Sequence, residues 1–271
     1  MADFIGDSLA LSMAAAKTDA EVIVFAGVHF MAESAAILSP EKTVLLPRAE
    51  AGCALADMIT PEQLEKAKQA HPGAAVVTYI NSSAAIKAVS DICCTSANAV
   101  AVIRSLTEAD TVIMAPDGNL ARYVARFTDK KIIPWEGFCP VHHHLLPEDV
   151  SRARSSHPRA LFAAHPECPP EILDLADFVG STAAILRYAG EPQVRELIVG
   201  TERGIMVELG KRYPEKLFIP AAEGLICETM KMTTLEDIWR SLTENRQIIE
   251  VPESLRASAG LALDRMLAIS P

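Results

Sequence analysis

The sequence predicts an α/β protein of three pseudo-symmetric, three-layer α/β/α lobes, with short parallel sheets around a central cluster site. Three observations carry this prediction. Short apolar runs alternate with helix-like segments along the chain, the pattern of parallel sheets covered by helices. A block recurs: Pro61 and Pro147 stand 86 residues apart, as do His71 and His157. A cysteine then stands at the same place in each copy: Cys53, Cys139 and Cys227, 86 and 88 apart.

Thr60-Pro61-Glu62 opens a helical segment that stops at His71-Pro72, and Leu146-Pro147-Glu148 opens one that stops at His157-Pro158. Proline in the first turn and just past the last are start and stop signals. Each segment leads into a short apolar run, before Tyr79-Ile80-Asn81 in one copy and His165-Pro166-Glu167 in the other. Such runs, bounded by turn residues, read as buried parallel strands. Thr95-Ser96-Ala97-Asn98 and Gly180-Ser181-Thr182-Ala183 open the next helices. A third copy enters mid-unit at Gly6-Asp7-Ser8-Leu9. All three copies continue with a strand (EVIVFAG, TVIMAP, ELIVGT), a helix, and a basic-led strand ending in proline (KTVLLP, KKIIP, KLFIP). The expected units are residues 1–54, 55–140 and 141–229, with C-terminal helices over 230–271 returning to cover the first lobe.

The chain has 271 residues, 50% of them hydrophobic, and a formal net charge of −10. That apolar content excludes a disordered protein, and the acidic balance argues against a nucleic-acid partner. No charge-free apolar stretch reaches the ~18 residues of a membrane span. The opening Met-Ala-Asp-Phe-Ile-Gly-Asp lacks a basic n-region, so a cytoplasmic protein is expected. Six cysteines in such a chain do not read as a disulfide framework, and there is no Cys-x-x-Cys pair. The dinucleotide GxGxxG, the P-loop and the esterase GxSxG are absent.

Ligands of open α/β sheets sit beyond the carboxyl ends of the strands. Cys53, Cys139 and Cys227 fall at that end, so three thiolates are expected to converge. Three are one short of a closed Cys₄ site. Zinc with a bound water is one reading, and an iron–sulfur cubane with one open iron is the other. An open iron is a Lewis acid suited to dehydration. Cys93, Cys94 and Cys168 have no counterparts and read as small buried hydrophobes. Ser8, Ser96 and the Ser181-Thr182 pair read as caps of helix N-termini that bind carboxylate or phosphate. His165 and Glu167, two apart at a strand end, face one way, beside Tyr79 and Asn81 of the neighbouring lobe. Of the three consecutive histidines 142–144, only His142 reads as a site residue.

At these residues the sequence resembles the quinolinate synthase family, the A proteins of NAD biosynthesis. The matching stretches are ADFIGDSL, FAGVHFMAE, YINSS, TSANAV, APDGNLARYVA, FCPVH, HPEC, GST and, near the end, Ile226-Cys227 with Met230-Lys231. The resemblance implies a [4Fe-4S] cluster held by Cys53, Cys139 and Cys227, with one open iron. It implies condensation of iminoaspartate with dihydroxyacetone phosphate, with loss of phosphate and water, and supply of iminoaspartate by L-aspartate oxidase. The family's catalytic positions fall on Tyr79, His165 and Glu167. Its substrate contacts fall on Ser8, Tyr79, Asn81, Ser96, His142, His165, Glu167 and Thr182.

One departure stands out. The family opens with a strand ending in His-Asn-Tyr-Gln, which supplies a catalytic histidine and tyrosine, and this chain has no such run. The repeat shows the same gap: residues 54–95 lie between Cys53 and Ser96, residues 140–180 between Cys139 and Ser181, and only seven residues precede Ser8. A first lobe short of about 35 residues, poorly folded and with low quinolinate turnover, is therefore expected. Two rival readings remain: another iron–sulfur hydro-lyase acting on a small hydroxy acid, and an inactive three-lobed homologue.

Overall fold

Asp7 starts the first helix. Its carboxylate accepts the Ala10 N–H at 3.1 Å, and α1 runs Ser8–Lys17. The structure, a computed structural model, describes residues 2–269. After α1 come β1 (Val22–Val24), α2 (His29–Leu38) and β2 (Thr43–Leu45). Two proline-led helices then open the longer units. Thr60 and Gln63 cap each other reciprocally ahead of α3 (Pro61–Ala70), Thr60 Oγ1 accepting the Gln63 N–H at 3.3 Å and Gln63 Oε1 the Thr60 N–H at 2.9 Å. Next follow β3 (Ala75–Tyr79), α4 (Ala84–Ala88), β4 (Ile92–Cys94), α5 (Ala99–Ser105), β5 (Thr111–Ala115), α6 (Gly118–Ala125) and β6 (Lys131–Pro134).

A short α7 (Pro140–His143) leads to α8 (Pro147–Ser156), then β7 (Leu161–Ala164), α9 (Pro170–Leu173), β8 (Phe178–Val179), α10 (Thr182–Tyr188), β9 (Glu196–Gly200), α11 (Ile205–Arg212) and β10 (Leu217–Pro220). The chain closes with α12 (Leu235–Glu244) and α13 (Glu253–Ala268).

Every paired strand is parallel. The sheets have the orders β1-β2, β4-β3-β5-β6 and β8-β7-β9-β10. The second and third share one topology, as the recurrence at 86 residues requires. Both faces of each are buried, which is why their strands read as continuous apolar runs. In the second, Val76 and Ile113 pack with Leu64 of α3 and Ile86 of α4, while Val77, Val112 and Met114 join Val102, Ile103 and Leu120 on the other face. In the third, Phe162 and Ile198 meet Val150 and Ile172, while Ala163, Leu197 and Val199 meet Ile185 and Leu209.

The first sheet has two strands, and among the described residues nothing corresponds to β3 and β4 or to β7 and β8 ahead of it. Chain from the C-terminus runs beside β2: Leu46 N–H donates to Gln247 O at 3.0 Å and Ile249 N–H to Val44 O at 2.8 Å. Helix α12 touches β1. Helix α13 packs against α4, β4 and α2, burying Ala259, Ala262, Leu263 and Met266 in the core they share. No described helix is long and apolar enough to cross a membrane.

Candidate active site

Two strand ends meet at Glu167. Tyr79 is the last residue of β3, and the turn after β7 carries His165 and Glu167. Glu167 is buried, and Tyr79 donates its hydroxyl to Oε1 at 2.5 Å while His142 Nδ1 lies 2.7 Å from Oε2. His142 sits on α7, three residues past Cys139, with its Nδ1 also 3.2 Å from the Cys139 Sγ and its Nε2 2.8 Å from Thr201 Oγ1. The His165 ring stacks on His142 at 4.6 Å, and its Nδ1 accepts the Glu167 N–H at 3.3 Å. Asn119 donates to the Glu167 carbonyl at 3.0 Å.

Burial and neighbours set the charges. Burial alone pushes the Glu167 carboxyl up, but His142 and His165, with hydrogen bonds from His142 and Tyr79, hold it below the usual carboxylate range. Burial and the Glu167 charge lift the Tyr79 phenol well above its ordinary value, so it stays a donor. Burial pushes the His165 imidazole down to about 4, keeping it neutral at pH 7 despite the carboxylate nearby. With Nδ1 accepting a backbone N–H, the proton of neutral His165 belongs on Nε2.

The six cysteines divide as the repeat divides them. Cys93, Cys94 and Cys168 are buried, whereas Cys53, Cys139 and Cys227 are partly exposed. Burial lifts the Cys53 thiol to about 12, and the charges of Glu167 and Cys227 add to this. The Cys139 thiol is likewise raised by burial, then by Glu167, with Cys53 a lesser cause. Cys53 thus lies within electrostatic reach of both Cys139 and Cys227, and Cys53 and Cys139 within reach of Glu167. Donor atoms of Cys139, His142 and Glu167 lie within 4.8 Å of one another, a grouping able to hold a metal.

One backbone tie recurs in all three units. His29 N–H donates to Ala51 O, Gly118 N–H to Gly137 O and Arg203 N–H to Leu225 O, each at 2.8 Å. Each acceptor stands two residues before a cysteine, so every thiol-bearing loop is pinned to the start of the helical segment after β1, β5 or β9. Gly118 is required there, because a Cβ would run into the Trp135 carbonyl.

The remaining expected positions are less directly joined. Ser96 stands beside the Tyr79 hydroxyl. Asn81 follows β3, and its Oδ1 is shielded from solvent with no partner, so a buried acceptor there awaits a donor. Thr182 is the first residue of α10, whose cap is Ser181 Oγ accepting the Ala184 N–H at 3.3 Å. Two expected caps are corrected. Asp7, not Ser8, caps α1, since a carboxylate one residue earlier reaches the Ala10 N–H. Asn98, not Ser96, occupies the cap position of α5, and its side chain turns back to accept the Thr95 N–H at 2.8 Å.

Thr201 and Asn119 were not among the sequence-derived site residues, nor were the buried Asp117 and its counterpart Glu202. The available signal was register: Asp117 and Glu202 each stand two residues past β5 or β9, 85 apart, the spacing of Ser96 and Ser181.

Parallel sheets whose carboxyl ends gather thiols, imidazoles and a buried carboxylate define an α/β enzyme with a metal-binding type of site. The family model described as "NadA: Quinolinate synthetase A protein" matches residues 1–268, and the chain belongs to that family. It is 57% identical over 269 residues to a protein named quinolinate synthase from Geotalea uraniireducens (strain Rf4), covering 99% of this chain and 88% of that protein. It is 56% identical, with the same coverage, to quinolinate synthase 1 of Methanosarcina acetivorans. To the quinolinate synthase of Dehalococcoides mccartyi (strain CBDB1) it is 53% identical over 268 residues, again 99% of this chain and 88% of that protein.

Proposed function

We propose that the chain condenses iminoaspartate with dihydroxyacetone phosphate to quinolinate, with loss of phosphate and water, in NAD biosynthesis. The observation that carries this reading is the buried Glu167 carboxylate, held between a phenol and two imidazoles beside Cys139. The units 1–54, 55–140 and 141–229 each contribute one thiol, and Cys53, Cys139 and Cys227 are the residues that would hold a [4Fe-4S] cluster. When bound, such a cluster supplies an open iron as a Lewis acid toward a substrate oxygen.

The donor set fits that group better than a single ion. A metal held by both His142 and Glu167 needs each donor about 2.0–2.2 Å away. At 2.7 Å from each other these two are hydrogen-bonded, and a single ion held by both would have to displace that bond. Cluster cysteines occupy separate corners of a cubane, which suits three thiols contributed by three different loops.

The chain's own residues divide the remaining work. Glu167 and Tyr79 form a proton-transfer pair, the carboxylate taking a proton from a substrate carbon or nitrogen and the phenol holding its Oε1 in place. Thr201 and Glu167 fix the His142 ring from its two sides. Neutral His165 offers Nε2–H to a substrate oxygen without adding charge. Asn81, Ser8, Ser96 and Thr182 bind the carboxylates and phosphate of the two anionic substrates. Iminoaspartate comes from L-aspartate oxidase, and the reaction takes place in the cytoplasm.

The test is anaerobic purification followed by iron and sulfide analysis and a quinolinate assay with both substrates. About four irons and four sulfides per chain, with quinolinate formed only when the triose phosphate is present, support the reading. Dehydration of hydroxy acids without triose phosphate would instead identify a different hydro-lyase.

A further inference from the structure

Two loops that carry thiols are held by more than the shared backbone tie. Asp117 Oδ2 accepts the N–H of Cys139 itself at 3.2 Å, while its Oδ1 accepts the Leu120 N–H at 2.7 Å. Glu202 Oε1 accepts the N–H of Cys227 at 3.4 Å, while its Oε2 accepts the Gly204 N–H at 2.7 Å. Both carboxylates thus use one oxygen on the start of the local helical segment and the other on the cysteine, and Glu202 also pairs with Lys231 at 3.2 Å. In each case the next residue's N–H ties the carbonyl two before that cysteine. The first unit keeps that tie, from His29 to Ala51, but Val28 stands where the carboxylate would be.

We propose that Asp117 and Glu202 are positioning residues for the thiolates of Cys139 and Cys227. Each carboxylate fixes the direction of the cysteine by taking up its backbone N–H, leaving Cys53 as the one cysteine of the three without such a clamp. A helix cap needs one acceptor oxygen, and an amide supplies that. Burying a carboxyl group at Asp117 is costly unless both oxygens are paired, and the second is aimed at Cys139. Outer contacts of this kind govern how firmly a metal group is held and tune its potential. This inference rests on reading the three cysteines as cluster ligands.

The experiment compares the reconstituted full chain with Asp117→Asn and Glu202→Gln. The control is Asp149→Asn, whose carboxylate accepts the Leu146 N–H ahead of α8 and faces no cysteine. Cluster loss to an iron chelator is followed by absorbance, and the reduction potential by electron paramagnetic resonance. Circular dichroism checks folding. The expected result is release on the order of tenfold faster for both variants, with a more positive potential for Glu202→Gln, which removes a nearby negative charge, and no change for the control. Glu202, which is less buried, decides the matter if Asp117→Asn fails to fold. Release rates and potentials equal to the parent's would overturn the positioning role while leaving the cluster reading intact. A parent chain that takes up no iron and sulfide would overturn both.

Discussion

The Tyr79 hydroxyl and the Glu167 carboxylate meet at 2.5 Å, joining the end of β3 to the turn after β7. These residues are 88 apart in sequence and lie in different sheets, so one hydrogen bond couples two of the three units at the site. Glu167→Gln would place an amide NH₂ either against His142 Nδ1–H, donor against donor, or against the Tyr79 oxygen, which would have to turn its proton elsewhere in a buried site. Quinolinate formation should fall by about 10²–10⁴-fold, the usual contribution of a general acid or base, with far-ultraviolet circular dichroism unchanged. Turnover within a few-fold of the parent's would remove Glu167 from the chemistry.

The cysteines make a second prediction. Cys53→Ser, Cys139→Ser and Cys227→Ser should each abolish the brown colour and most of the iron after anaerobic purification. Cys168→Ala should keep both, because Cys168 is buried with its thiol against the Gly200 carbonyl and has no counterpart in the other copies of the repeat. Equal iron in all four variants would show that the repeat had picked out three core residues.

The difference in burial between the two sets of cysteines follows the repeat, whose equal spacing is readable without knowledge of the fold. That spacing exposed Cys53, Cys139 and Cys227, and the register of Tyr79 with His165, but not what holds them. Thr201 reaches His142 across 59 positions and Asn119 reaches Glu167 across 48, contacts that exist only once two sheets have packed. The caps of α1 and α5 differ from the expectation for a local reason. Asp7-Ser8 and Ser96-Ala97-Asn98 each hold two residues able to cap, and backbone geometry selects between them. The two-residue β8 was also too short to show a strand period.

Gly118 tests the tie between helix start and thiol loop. A Cβ there would strike the Trp135 carbonyl and stand 3.4 Å from the Gly137 carbonyl, so Gly118→Ala must push away the chain that leads to Cys139. The expected loss is about 1–3 kcal/mol in urea unfolding, as for other overpacked sites, together with faster cluster loss. Gly210, inside α11 with open space around its Cα, is the contrast: Gly210→Ala should gain up to about 1 kcal/mol. A neutral Gly118→Ala would mean that the loop bends freely and that the tie does not fix the thiol.

His165 predicts how stability varies with pH. Burial lowers its folded pKa from 6.5 to about 4. Above about 6.5 the imidazole is neutral in both states and contributes no pH dependence. Between about 6.5 and 4 the unfolded chain binds a proton that the folded chain refuses, so stability falls as the pH falls. Glu167 acts with the same sign at lower pH: its carboxyl is held below the ordinary value when folded, so the stability it contributes above about 4.5 is lost on further acidification. Asp117 and His29, whose folded pKa values are raised, act with the opposite sign, so the His165 contribution is read as a difference: between pH 7 and pH 5 the urea midpoint of the metal-free parent should fall relative to that of His165→Asn. The full His165 gap corresponds to about 3 kcal/mol, at about 1.4 kcal/mol per pH unit. A slope between pH 7 and pH 5 that is the same in His165→Asn as in the parent chain would mean that His165 takes up its proton in the folded protein and is not the neutral donor assigned here.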